Sequence, residues 1–148
     1  MAVDNAQILA DLDPDQLAVV TAIRGPVCVI AGAGTGKTRV ITNRIAYAIN
    51  AGVTDPTKVL ALTFTARAAG EMRARLRVLG IANVAARTFH SAALKQLLYF
   101  WPYAFGGQFP KLLTTKSGFI GQAITRAELA IPAQVNSLRE IAGEIEWA

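Results

Sequence analysis

Residues 31–38 read Ala31-Gly32-Ala33-Gly34-Thr35-Gly36-Lys37-Thr38, and the apolar run Val27-Cys28-Val29-Ile30 leads into them. A buried strand, a glycine-rich turn and a helix in that order make a phosphate-binding loop, which decides for a nucleotide-binding α/β fold. Glycines at 32, 34 and 36 let the backbone curl until several N–H groups face one point, forming an anion nest. The helix expected over Lys37–Asn50 aims its unpaired N-terminal N–H groups and its positive dipole end at the same place. Lys37 can reach the β and γ phosphates of a nucleoside triphosphate, and Thr38 offers a hydroxyl to a Mg²⁺ ion that keeps most of its waters. The strict pattern begins with glycine; this chain has Ala31 there and matches at every other position.

A chain of 148 residues with 53% hydrophobic content has the length of one domain and enough apolar side chains for a core. No stretch approaches the roughly 20 uninterrupted apolar residues of a membrane span. The N-terminus carries Asp4, Asp11, Asp13 and Asp15 and lacks a basic segment followed by an apolar one, so it does not read as a secretory signal. The single cysteine, Cys28, has no internal partner; it is expected to fill core volume in the strand before the loop, in a reducing cytoplasm.

The net charge is +5, and its placement says more than its sum. Between Lys58 and Lys95 seven basic residues face a single acid, Glu71, a balance suited to a phosphate backbone and equally to a solvated helix face. Val59–Phe64 reads as a second strand and Ala66–Leu79 as a helix, with Thr65 as its N-cap and Gly80 as its stop. Val84–Thr88 reads as a third strand, followed by a helix from about Ser91 to Tyr99. Strands alternating with helices imply a parallel sheet, whose functional residues gather where strands end and helices begin.

All three strand ends are chemically unusual: the phosphate loop, Thr63-Phe64-Thr65, and Thr88-Phe89-His90. Hydroxyls and helix N-terminal N–H groups contact phosphates, and an exposed ring stacks an unpaired base at ~1 to 3 kcal/mol, so these ends suit single-stranded nucleic acid. Each phenylalanine taken alone also reads as core. His90, the only histidine, has no companions for a metal site and no nucleophile that spacing singles out. It reads either as a hydrogen bonder at a helix start or as a phosphate contact.

Leu12-Asp13-Pro14-Asp15-Gln16, Ala31–Thr38, Leu62 to Met72 and Thr88-Phe89-His90 occur in that order over positions 12 to 90. Together they resemble the N-terminal part of UvrD/Rep-type superfamily 1 DNA helicases, and the helical remainder is similar to the actinobacterial UvrD-like branch. The resemblance implies part of a RecA-like P-loop NTPase sheet with flanking helices over residues 1–98, followed over 99–148 by the start of an inserted helical subdomain. It implies ATP and Mg²⁺ as cofactors, single-stranded DNA as partner, and 3′ to 5′ unwinding in repair or replication at the nucleoid. Gln16 resembles the glutamine that reads adenine, and Arg39 is implied to lie near the base. Ala31, Gly32, Ala33, Gly34, Thr35 and Gly36 then cradle the phosphates, with Lys37 and Thr38 in catalytic roles and Thr38 on the metal. Thr63, Phe64, Thr65, Arg67, Phe89 and His90 match the segments that touch DNA. Ala66-Arg67 stands where such helicases carry Asn-Lys, which keeps the charge and removes an amide.

Helicases of this type also hold Mg²⁺ with a strand ending in Asp-Glu and stabilise transition-state charge with later arginines. None of the acids here ends an expected strand: Asp55 lies in a turn before Pro56, Glu71 sits in the basic helix, and Glu128, Glu140, Glu144 and Glu146 read as solvated helical faces. The aromatic cluster Tyr99-Phe100-Trp101-Pro102-Tyr103 is expected to be core of the helical unit, part of it exposed where packing partners are missing. The expectation is an ATP-binding front portion of a helicase that binds nucleotide and unwinds nothing by itself. A non-hydrolysing nucleotide- or DNA-binding module, a degenerate helicase fragment and a small P-loop kinase stand as alternatives.

Overall fold

The computed structural model describes residues 3–113, 116–127 and 140–143. The chain divides into two compact units, Met1–Ala104 and Phe105–Ala148. In the first, helices α1 (Asn5–Leu9), α2 (Pro14–Thr21) and α3 (Lys37–Asn50) precede strand β1 (Leu60–Thr63), helix α4 (Ala66–Val78), strand β2 (Ala85–Thr88) and helix α5 (Phe89–Ala104). In the second, α6 spans Ser117–Arg126, and residues 140–143 are helical, with Glu140 exposed. The helical reading of Glu128, Glu144 and Glu146 lies outside the described residues.

The β1–α4–β2 unit shows how local chemistry sets the scaffold. Its helix is mostly alanine, arginine, leucine and methionine, all strong helix formers. The Thr65 hydroxyl accepts the Ala68 N–H at 3.1 Å, capping the N-terminus as the sequence predicts. At the other end Gly80 takes φ of 75°, the Gly80 N–H donates to Arg77 and the Ile81 N–H donates to Leu76, at 3.0 and 2.8 Å. Such a glycine-centred stop brings the side chain after it onto the last turn; Leu76 and Ile81 are both buried, in one cluster with Ile8 and Ala46. A second cluster of Ala61, Met72 and Ala86 seals the sheet against α4. Small residues at these places let helix and strands approach closely.

Among the described residues the sheet has two strands, parallel and in register from Leu60↔Ala85 to Thr63↔Thr88. The first expected strand, Val27–Ile30, is irregular chain without a ladder, and its side chains are exposed, Ile30 to 98%. A strand needs a neighbour to take its N–H and C=O groups, and β1 and β2 pair only with each other. Cys28 in this run is accordingly exposed and does not fill the core.

Helix α5 starts two residues earlier than expected and runs past Tyr99. Its start is set by the Thr88 hydroxyl, which accepts the Ser91 N–H at 3.1 Å, and Pro102 falls only in its last turn. None of its residues is fully buried, and Tyr99, Phe100 and Tyr103 are exposed instead of forming a core; Tyr99 and Phe100 meet edge to face at 4.9 Å. Among the described residues no helix is long and apolar enough to cross a membrane.

Candidate nucleotide cleft and aromatic shelf

The phosphate loop is held by its own side chains. Gly34 and Gly36 take φ of 79° and 78°, a left-handed conformation that side chains resist. The Thr35 hydroxyl donates to the Gly32 carbonyl at 2.9 Å. The Lys37 ammonium donates to the Ala31 carbonyl at 3.2 Å and also to that of Gly32, so it bends back over the loop it follows. Helix α3 begins at Gly36 without a side-chain cap and with no acid in its first turn. Its first N–H groups and dipole therefore stay available to an outside anion.

Helix α2 brings the glutamine to this loop. Asp13 caps it by accepting the Gln16 N–H at 2.8 Å, with Pro14 in the first turn, where a missing N–H costs nothing. The Gln16 Nε2 then donates to the Thr35 carbonyl at 3.3 Å, and a Cβ built on Gly36 would stand only 3.3 Å from the same nitrogen. Position 36 thus has two reasons to be glycine, its φ and this close approach.

A cleft of about 520 Å³ opens here. Of the expected nucleotide residues, Gln16, Ala31, Gly32, Thr35 and Lys37 line it. Ala33, Gly34, Gly36, Thr38 and Arg39 belong to the same loop and first turn but are not on its wall. Arg39 instead donates from Nη2 to the Asp11 carbonyl at 2.8 Å and lies 3.7 Å from the Asp11 carboxylate. The wall also includes Val19, Ile41 and Arg44, which sequence reasoning did not single out. Helical spacing carried the signal: Val19 is three residues after Gln16, and Ile41 and Arg44 are four and seven after Lys37, so each shares a helix face with a residue already chosen.

The second site follows from register. Because Thr63 and Thr88 are paired in parallel strands, the residues that follow them, Phe64 and Phe89, emerge side by side. Their ring centroids lie 5.2 Å apart at 44°, and Phe64 is 86% exposed. Two exposed strand-end rings form one shelf. The Thr65 and Thr88 hydroxyls are engaged as helix caps, which leaves each its own proton to donate. Arg67 pairs with Glu71 at 3.2 Å across one exposed turn, a contact of little energy that an approaching phosphate can replace. Thr63 is half-buried and His90 is exposed.

A family model for the UvrD/REP helicase N-terminal domain matches residues 12–116. The chain belongs to this helicase family. It is 47% identical over 156 aligned positions to the ATP-dependent DNA helicase UvrD2 of Mycobacterium tuberculosis, an alignment covering 100% of the chain and 22% of that protein. It is 42% identical over 94 positions to the ATP-dependent DNA helicase PcrA of Bacillus subtilis, covering 62% of the chain and 13% of that relative. A probable DNA helicase II homolog of Mycoplasma capricolum is 50% identical over 102 positions, 66% of the chain and 14% of its own length. The chain thus spans about a fifth of the length of its UvrD2 relatives. The match begins at Leu12 and takes in Gln16, the phosphate loop and both strand ends.

Proposed function

We propose that this chain is the ATP-binding, single-stranded-DNA-contacting N-terminal portion of an ATP-dependent 3′ to 5′ DNA helicase of repair or replication, acting in the bacterial cytoplasm at the nucleoid. The observation that carries the reading is the meeting of Gln16 and Lys37 on one eight-residue loop, a base-reading group and a phosphate-reading group on the wall of a single cleft. In this reading residues 1–98 form the front of a RecA-like domain, and residues 99–148 begin a helical subdomain inserted into it.

The donor set fits a nucleoside triphosphate with Mg²⁺. Lys37 exchanges two neutral carbonyl acceptors for phosphate oxygens, a stronger, charge-assisted pairing. Thr38 would offer its hydroxyl to the metal, and the uncapped start of α3 would hold the phosphates through backbone N–H groups. Gln16 meets the adenine edge, with Arg39 close to the base. Bound Mg²⁺ would neutralise charge on the β and γ oxygens. At the shelf, Phe64 and Phe89 stack bases while Thr63, Thr65, Arg67 and His90 meet the backbone. Both described strands end in threonine, so the carboxylate pair that hydrolysis requires comes from outside β1 and β2.

The test is nucleotide binding and ATP hydrolysis by the 148-residue chain, with and without single-stranded DNA, beside Lys37→Ala. The chain is expected to bind ATP, to lose about two orders of magnitude of affinity in the variant, and to show no DNA-stimulated turnover or unwinding. DNA-stimulated turnover abolished by Lys37→Ala would identify a complete motor and overturn the division of labour proposed here.

A further inference from the structure

Helix α2, which carries Gln16, has eight residues, too few to hold a fixed position by its own hydrogen bonds. Its placement depends on ties to the rest of the molecule. Val20 anchors one face by complete burial. The flanks are held by two arginines of α3, Arg39 at the Asp11 carbonyl and Arg44 at the far end. Arg44 donates to the Ala22 carbonyl from both Nε, at 3.0 Å, and Nη2, at 2.7 Å. Ala22 caps α2 and has left the helical conformation, with φ of −75° and ψ of 67°. Its carbonyl is one that a helix end offers to outside donors, and a cation there also complements the negative end of the dipole. Part of the Arg44 side chain lines the nucleotide cleft as well.

We infer that Arg44 is a positioning residue for base selection: its guanidinium fork ties the end of α2 to the phosphate-loop helix and so holds Gln16 against the Thr35 carbonyl. The inference rests on the nucleotide reading above. Lys37 binds phosphate from the first turn of α3, and Gln16 reads the base from α2. Arg44 keeps the two at a fixed separation, so a base of the wrong edge pattern cannot be met by a shift of the helix. A Gln16 amide free to wander selects poorly, because discrimination comes from polar groups left unpaired by the wrong partner.

The experiment compares the wild-type chain with Arg44→Met and Arg44→Lys, measuring dissociation constants for ATP, GTP and inorganic tripolyphosphate together with amide exchange in α2 and α4. Both variants are expected to lose ATP-over-GTP preference by on the order of tenfold, in the usual range for coupled sites. Exchange in α2 should accelerate by a similar factor, with α4 protection unchanged and tripolyphosphate affinity falling by much less than ATP affinity. Arg44→Lys keeps the cation in the cleft and lacks the fork, so full rescue by lysine would overturn the inference in favour of plain charge. Tripolyphosphate affinity falling in step with ATP affinity, or protection lost from α4 as well as α2, would also overturn it. Unchanged discrimination in Arg44→Met overturns this inference alone, whereas a wild-type chain binding neither ATP nor tripolyphosphate overturns the nucleotide reading beneath it.

Discussion

Residues 27–30 and residues 37–50 flank the same loop, and only the second flank takes the form its residues favour. Helix α3 runs from Lys37 to Asn50, the bounds expected from sequence, because a helix closes its hydrogen bonds within itself. The run Val27–Ile30 is equally suggestive, yet a strand borrows its partners from elsewhere in the chain, and neither described strand lends any. β1 and β2 form because each completes the other. The contrast divides the molecule into what is settled within a few residues and what is settled by contact across the chain.

The largest expected effect lies where the two kinds of order meet. Leu76 ends α4 locally, through the glycine-centred stop, and is 2% exposed in the cluster that joins α4 to α1 and α3. Leu76→Ala should cost about 2–5 kcal/mol in urea unfolding, by lost burial and by the cavity left behind. Val78, on the same helix and 80% exposed, provides the comparison, and Val78→Ala should change stability by less than about 0.5 kcal/mol. Equal losses at the two positions would mean that helix propensity, not burial across the chain, sets the stability of this unit.

The aromatic shelf is the counterpart in the proposed DNA contact, since two residues 25 positions apart become neighbours only through strand register. Phe64→Ala is expected to weaken single-stranded DNA binding by ~1 to 3 kcal/mol. Phe89→Ala should act in the same range, and the double variant should fall short of the sum because the rings share one platform at 5.2 Å. Fluorescence titration with a labelled oligonucleotide reads all three, and ATP affinity should not move. Strictly additive losses would show two separate contacts in place of one shelf.

What could be read from the residues follows the same division. The bounds of α3, the Thr65 cap and the Gly80 stop are questions of near neighbours, and all three are borne out. The Thr63 and Thr88 ends were recognisable as unusual, while their lateral pairing needed the ladder. The missing first strand and the exposure of Cys28 turn on partners that composition does not name. The Arg44 tie is illegible for the same reason: the two hydrogen bonds it donates reach back 22 residues to a backbone carbonyl, and a carbonyl has no residue type to recognise. The contact of Gln16 with the loop spans 19 residues, and only the family resemblance points to it.

The smallest expected effect sits at the joint between the helical cleft and the shelf, where a 3₁₀ turn, Pro56–Lys58, feeds β1. Asp55 caps this turn, accepting from the Thr57 hydroxyl and from the Thr57 N–H. These bonds, the hydroxyl's first, hold its carboxyl below the ordinary value of 3.8. A carboxylate whose folded pKa is lowered stabilises the fold above its unfolded pKa, and the contribution is lost as pH falls through the folded value. Acidification below about pH 3.8 should therefore fray residues 55–58 first, seen as faster local amide exchange, with only a slight change in global stability because the group is fully exposed. Asp55→Asn keeps an acceptor for the Thr57 N–H and cannot titrate, so it should retain the turn and remove its acid sensitivity. Equal acid sensitivity in both proteins would mean that the joint is held from a distance, by the strands, and not by its own cap.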